Sequence, residues 1–198
     1  WPVVQQEFSR RHGVVAGAGC CVLAMGSLGA GLLHSASDLD MIVIYDAPKG
    51  AESDGKRALP ARTYFARATQ ALVTALSAPT AEGRLYEVDM RLRPSGKQGP
   101  VATSISAFAD YQRTEAWTWE HLAMMRARPI AGDADVCAGV AAIRAEVLSQ
   151  PRDAVTFKAD VAAMRGRIKQ AKSGGAPLDL KDGSGRLQDI ELAAAAAA

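Results

Sequence analysis

The sequence lacks long apolar runs, and it is poor in cysteine and histidine. No run approaches the roughly 20 residues of a transmembrane helix, so we expect no membrane-spanning segment. Cys20, Cys21 and Cys137 form no C-x-x-C pair, and the adjacent two lie in an apolar run, which favours a buried structural role. The histidines, at positions 12, 34 and 121, lack metal-ligand spacing. An odd, unpatterned cysteine count is typical of a reducing compartment, so we expect a cytoplasmic protein.

Neither positive nor negative charge is in clear excess. Lys and Arg number 23 against 21 Asp and Glu, which argues against a nucleic-acid partner but leaves room for a local basic patch. With 198 residues, 48% of them apolar, the chain is large enough for one large domain or two small ones. It begins at Trp1 without Met, and a run of Ala fills positions 193–198. We expect a fragment of a longer chain and do not interpret the alanines.

The hydrophobic pattern divides the chain near residue 100. Apolar runs and alternation predict strands over 20–25, 39–45 and 85–92. Helices are predicted over 2–12 and 64–76, a tight glycine-rich turn over 26–31 and a surface loop over 46–58. After residue 100 the period changes to 3.6, which predicts an all-helical region. Its expected elements are a helix capped by Ser106 that holds Phe108, Tyr111 and Trp119, and helices over 134–149 and 153–171. This order predicts an α+β fold with an appended helical bundle.

Three aspartates fall on the predicted strands in a pattern that points to metal chemistry. Asp38 and Asp40 open the second strand, where residues two apart face the same side. Asp89 lies in the third strand and joins them if the two strands are neighbours. Three close carboxylates repel one another unless divalent cations lie between them, and Mg²⁺ prefers such oxygen ligands. We therefore select Asp38, Asp40 and Asp89 as the catalytic and metal-binding candidates.

The glycine-rich turn after the first strand is a candidate phosphate site. Gly26 and Ser27 offer backbone N–H groups and a hydroxyl without an obstructing side chain, which suits a triphosphate. Arg91 and Arg93 follow the third strand, and the guanidinium group matches phosphate oxygens.

Longer strings carry a resemblance to a known family. The order of strand, Gly-Ser, Asp-x-Asp and a later Asp resembles the nucleotidyltransferase superfamily related to DNA polymerase β. S-A-S-D-L-D before an apolar strand that ends in Tyr-Asp, and the C-terminal D-L-K and D-I-E strings, resemble glutamine synthetase adenylyltransferase, the bifunctional adenylyltransferase and deadenylase of bacteria. L-Y-E-V-D-M-R-L-R-P-S-G (85–96) and E-A-W-T-W-E-H (115–121) resemble its adenylylating half more than its deadenylylating half. The family's Gly-Lys-Leu-Gly-Gly turn is here Gly26-Ser27-Leu28-Gly29-Ala30.

The resemblance implies a fold, a reaction and partners. The fold would be a polymerase β-like mixed sheet with flanking helices over residues 1–100. A helical region over 101–192 would complete the site and the surface for the protein substrate. AMP would pass from ATP to a tyrosine of glutamine synthetase, with a PII signalling protein as a regulatory partner. Asp38 and Asp40 would hold two Mg²⁺ ions, with Asp89 as a further ligand and possible proton acceptor, and Gly26 and Ser27 would cradle the β- and γ-phosphates.

Several assignments stay open at this point. Arg91 and Arg93 would bind phosphate or pair with Asp189 and Glu191, which could themselves approach the site. Lys181 is a further candidate phosphate contact. We expect Trp117 and Trp119 to be core residues rather than base-stacking platforms, and Glu120 and His121 to be structural.

The functional alternatives are also open. They are phosphorolytic removal of AMP by the deadenylylating half, an aminoglycoside- or uridylyl-type nucleotidyltransferase, and a regulatory docking module without turnover.

Overall fold

A computed structural model describes residues 1–35, 37–84, 86–171 and 185–197, in which strands and helices form an α+β fold. The strands are β1 (Gly19–Ala24), β2 (Leu39–Asp46), β3 (Val88–Asp89), β4 (Ala102–Ser104) and β5 (Arg128–Gly132). The helices are α1 (Pro2–His12), α2 (Gly26–Ala30), α3 (Ala61–Ser77), α4 (Ile105–Thr114), α5 (Thr118–Met124), α6 (Ala134–Leu148), α7 (Ala154–Ala171) and α8 (Leu187–Ala197). No helix within these ranges has the length and apolar character needed to cross a bilayer. The candidate phosphate contact Lys181 lies outside the described residues.

The sheet is mixed, as the family resemblance implied. β1 lies between β2 and β5 and is antiparallel to both. β3 and β4 are both parallel to β2 and lie end to end along its outer edge. β3 pairs with the first two residues of β2, and β4 pairs with residues Val43–Tyr45. The beginning of β2 therefore lies next to β3, at one end of the sheet.

Both faces of the sheet are buried, which explains the nearly continuous apolar runs of β1 and β2. Met41 and Val43 face a core that also contains Tyr64 and Phe65 of α3. Ile42 and Ile44 alternate with them and face a second core, built around Phe108 of α4 and Val140 of α6. Because side chains alternate along a strand, Asp38 and Asp40 belong to the same face as Ile42, at its solvent end.

Two predicted elements before residue 100 differ from the structure. Residues 26–31 were expected to be only a turn, but they form the short helix α2, which ends at Gly31 in a left-handed conformation. The third strand, expected over 85–92, is limited among the described residues to Val88–Asp89. It ends there because the chain turns: the N–H of Arg93 donates to the carbonyl of Met90, and that of Gly96 donates to the carbonyl of Arg93.

The expectation of an all-helical region after residue 100 was wrong, because β4 and β5 both join the sheet. β5 contains Pro129, which is tolerated because β5 lies at the edge of the sheet. The single helix expected to hold Phe108 and Trp119 is in fact α4 and α5. The cap of α4 is Ser104 rather than the predicted Ser106, since the Ser104 hydroxyl accepts a hydrogen bond from the Ala107 N–H at 3.3 Å.

Candidate active site

The three predicted aspartates come together where β2 begins. Asp38 and Asp40 flank Leu39, and Asp40 is in register with Asp89 on the parallel strand β3. The N–H of Leu39 donates to the carbonyl of Glu87 at 2.7 Å, which ties the two strands together at this point. Asp38 is exposed, whereas Asp40 and Asp89 are half-buried. The sheet therefore presents three carboxylates at one solvent-facing end.

A turn immediately before β2 fixes the approach to Asp38. The hydroxyl of Ser37 accepts a hydrogen bond from the His34 N–H at 3.1 Å, and the Ser37 N–H donates to the His34 carbonyl at 2.9 Å. Ser37 is buried, so this turn is part of the packed structure. No role was predicted for Ser37, which belongs to the S-A-S-D-L-D string at 35–40. Its position directly before Asp38 was the available signal.

Gly26 lies against the carboxylate of Asp40. The N–H of Met25 donates to the Asp40 carbonyl at 2.9 Å, so the end of β1 is held beside the start of β2. Gly26 then adopts a φ of +51°, and a Cβ atom at this position would lie only 2.4 Å from Oδ2 of Asp40. A side chain would collide with the carboxylate, and the backbone conformation itself favours glycine. The turn that carries Gly26 and Ser27 is therefore in direct contact with the acidic group.

Arg91 is bound to the third aspartate. Its Nε donates to Oδ2 of Asp89 at 2.7 Å, and its backbone N–H donates to Oδ1 at 2.8 Å. The hydrogen bond from the guanidinium lowers the pKa of the Asp89 carboxyl, although partial burial acts in the opposite direction. The pKa of Arg91 is raised, first by this hydrogen bond and further by the charges of Asp38 and Asp40. Arg91 is thus a cation within the field of all three carboxylates.

Arg93 has a different set of partners. Its guanidinium donates to the carbonyls of Met90 at 2.8 Å, of Gly99 at 3.2 Å and of Lys97 at 3.2 Å. These bonds close the turn that follows β3. Arg93 therefore braces the loop that carries Asp89 and Arg91.

Of the two alternatives left open for Arg91 and Arg93, pairing with Asp189 and Glu191 is not the one observed, because both acids pair with other arginines. Arg165 donates to Asp189 at 2.6 Å and joins α7 to α8. Arg126, just after α5, forms an ion pair with Glu191 at 2.9 Å.

Comparison with known proteins gives the family. Residues 3–143 match the family described as glutamate-ammonia ligase adenylyltransferase. The chain belongs to this family. It is 52% identical over 192 residues to the bifunctional glutamine synthetase adenylyltransferase/adenylyl-removing enzyme of Mesorhizobium japonicum, and 50% and 44% identical to those of Rhizobium meliloti and Xanthomonas campestris pv. campestris. Each match covers 96% of this chain, which spans about a fifth of the length of these relatives.

In this adenylyltransferase family member, the two tryptophans of the E-A-W-T-W-E-H string are not core residues. Trp117 is 62% exposed and Trp119 is 37% exposed, so the expectation that both are buried was wrong. The structural roles of their neighbours are confirmed. Glu120 accepts hydrogen bonds from the Tyr111 hydroxyl and the Trp117 N–H, at 2.8 and 2.9 Å. The Nε2 of His121 lies 2.9 Å from the carbonyl of Gln112.

The acidic end of the sheet has the right donor chemistry for Mg²⁺, but it is not a ready-made metal site. Across the described part of this adenylyltransferase family member, no three His, Cys, Asp or Glu side chains are arranged to hold a metal as they stand. Asp89 gives one reason, because both of its oxygens accept hydrogen bonds from Arg91. Carboxylate oxygens are nevertheless the ligands that Mg²⁺ prefers. The residue types therefore match Mg²⁺, while Asp89 as it stands is occupied by Arg91.

Proposed function

We propose that this chain carries an adenylylating site, which transfers AMP from ATP to a tyrosine of glutamine synthetase in the cytoplasm. The observation that carries the proposal is the register of Asp40 with Asp89, with Gly26 packed against Asp40. This arrangement brings a candidate phosphate turn to a group of carboxylates in a member of an adenylyltransferase family. Regulation through a PII signalling protein belongs to the same proposal.

In the proposed reaction, Asp38, Asp40 and Asp89 would hold Mg²⁺. The metal would neutralise phosphate charge and favour the ionised tyrosine oxygen. The backbone of Gly26 and Ser27 would bind the β- and γ-phosphates. The tyrosine hydroxyl would release its proton to solvent, and its oxygen would form a bond to the α-phosphorus while the bond from that phosphorus to the bridging oxygen breaks and pyrophosphate leaves.

Asp89 and Arg91, the two site residues with shifted pKa values, have distinct tasks in this proposal. Asp89 would act as a metal ligand, and the Arg91 hydrogen bond that lowers its pKa would be given up when the metal binds. The Arg91 guanidinium is held beside the phosphate path by Asp89. When it is displaced from Asp89, the guanidinium would bind a phosphate oxygen instead.

The test is transfer of labelled AMP to glutamine synthetase, with Asp40→Asn as the variant. The loss of one carboxylate charge should reduce the rate by at least about 100-fold, since metal-assisted charge stabilisation contributes several kcal/mol. Asp46→Asn is the matched control, because Asp46 is exposed at the opposite end of β2. We expect it to retain labelling. Wild-type labelling by Asp40→Asn would refute the assignment of the site.

Removal of AMP is the second candidate, because the relatives are named for both activities. It predicts release of ADP from adenylylated glutamine synthetase that depends on inorganic phosphate. If the purified chain shows this release without forward labelling, the removing activity replaces the proposed one.

A further inference from the structure

A small cavity opens beside the candidate phosphate turn. It measures about 240 Å³ and lies between α5, α7 and α8, with Gly26 on its wall. The other wall residues that matter here are Trp119, Leu122, Met164, Ile168 and Gln188. Sites that enclose a whole drug-sized ligand usually measure roughly 300–1,000 Å³. This cavity is below that range, so it suits one planar ring system rather than an entire nucleotide.

The walls and the rim of the cavity differ in character. Leu122 on α5 and Met164 and Ile168 on α7 make the interior mainly apolar. Polar groups lie at the rim, where Arg126 and Glu191 form their ion pair and each side chain remains about one-third exposed. An apolar interior with a few polar groups at its edge is the usual composition of a small-molecule site.

We propose that this cavity binds the adenine base of the nucleotide, with Trp119 as a stacking surface. The inference rests on the proposed function, because Gly26 is shared between the cavity and the turn assigned to the phosphates. A nucleotide whose phosphates lie on that turn has its base within reach of the cavity. Trp119 is partly exposed and lines the cavity, which a stacking surface requires. Gln188, Arg126 and Glu191 supply donors and acceptors for the polar edge of the ring.

The experiment compares ligands with and without a base. Calorimetry with Mg²⁺ measures the Kd of ATP and of inorganic tripolyphosphate for the wild type and for Trp119→Ala. The variant should bind ATP roughly tenfold more weakly or worse, and bind tripolyphosphate as the wild type does. Trp117→Ala is the matched control, since Trp117 is a neighbouring exposed tryptophan outside the cavity. It should change neither Kd.

A second variant fills the cavity instead of removing the Trp119 side chain that lines it. Ala123 lines the cavity from α5, and Ala123→Leu adds volume there while keeping a good helix former. It should weaken ATP binding and leave tripolyphosphate binding intact. Equal affinity of the wild type for the two ligands, or unchanged ATP binding in both variants, would overturn the adenine assignment and leave the phosphate turn standing. If the wild type bound neither ligand, the proposed function itself would fail.

Discussion

Gly26→Ala tests the contact between the glycine-rich turn and the acidic group. The new Cβ would lie 2.4 Å from Oδ2 of Asp40, whereas ordinary contact begins at 3.4 Å. The carboxylate must therefore move by about 1 Å, since it is the flexible end of its side chain and the Gly26 backbone is fixed by α2. A displacement of about 1 Å in a catalytic site can reduce the rate by roughly 100-fold. We expect a loss of that size in transfer of labelled AMP.

The control for this substitution separates collision from backbone strain. Gly50 also has a positive φ, of +74°, but a Cβ there meets nothing within 4 Å. Gly50→Ala and Gly26→Ala should each lower the free energy of unfolding by about 1–2 kcal/mol, the cost of the left-handed conformation. Urea denaturation measures this cost. Only Gly26→Ala should lose activity, and activity within about threefold of that of Gly50→Ala would refute the reasoning.

Two further predictions concern stability. Phe108 is fully buried in the second core, so Phe108→Ala should lower the free energy of unfolding by about 3–5 kcal/mol in urea denaturation, whereas Val155→Ala, at a 77% exposed position, should change it by less than about 0.5 kcal/mol. Burial, with Arg152 nearby, lowers the pKa of His121 from 6.5. As the pH falls, the unfolded chain therefore binds more protons at His121 than the folded protein does. The His121 contribution to stability should be complete above pH 6.5 and be lost as the pH falls towards the folded pKa. His121→Gln should show a weaker pH dependence over this range, and an unchanged dependence would contradict the assignment.

The site was more predictable than the second half of the fold. Asp38 and Asp40 could be placed on one face because the side-chain period of a strand is two, and this local rule needs no tertiary information. The partner of Asp40 depended on whether the second and third strands are neighbours, which the sequence left as a condition and the register of Asp40 with Asp89 fulfils. β4 and β5 were missed because they are short, and because Pro129 and the exposed residues of β5 carry no strong strand signal. The cavity beside Gly26 could not be predicted, since it depends on how α5, α7 and α8 pack around the end of the sheet.

The shortness of β3 has a consequence for the spacing of the acids. Asp40 lies on a strand that is buried on both faces and Asp38 directly precedes that strand, but Asp89 is attached through a pairing of only two residues. The chain beyond it is shaped mainly by Arg93 and the carbonyls that Arg93 holds. The position of Asp89 relative to the other two acids therefore depends on the loop at 90–99, whose Met90 packs against the first core and whose Leu92 packs against the second. We expect substitutions of Arg93 to shift Asp89 indirectly, because Arg93 holds the loop that follows Asp89 through three carbonyls.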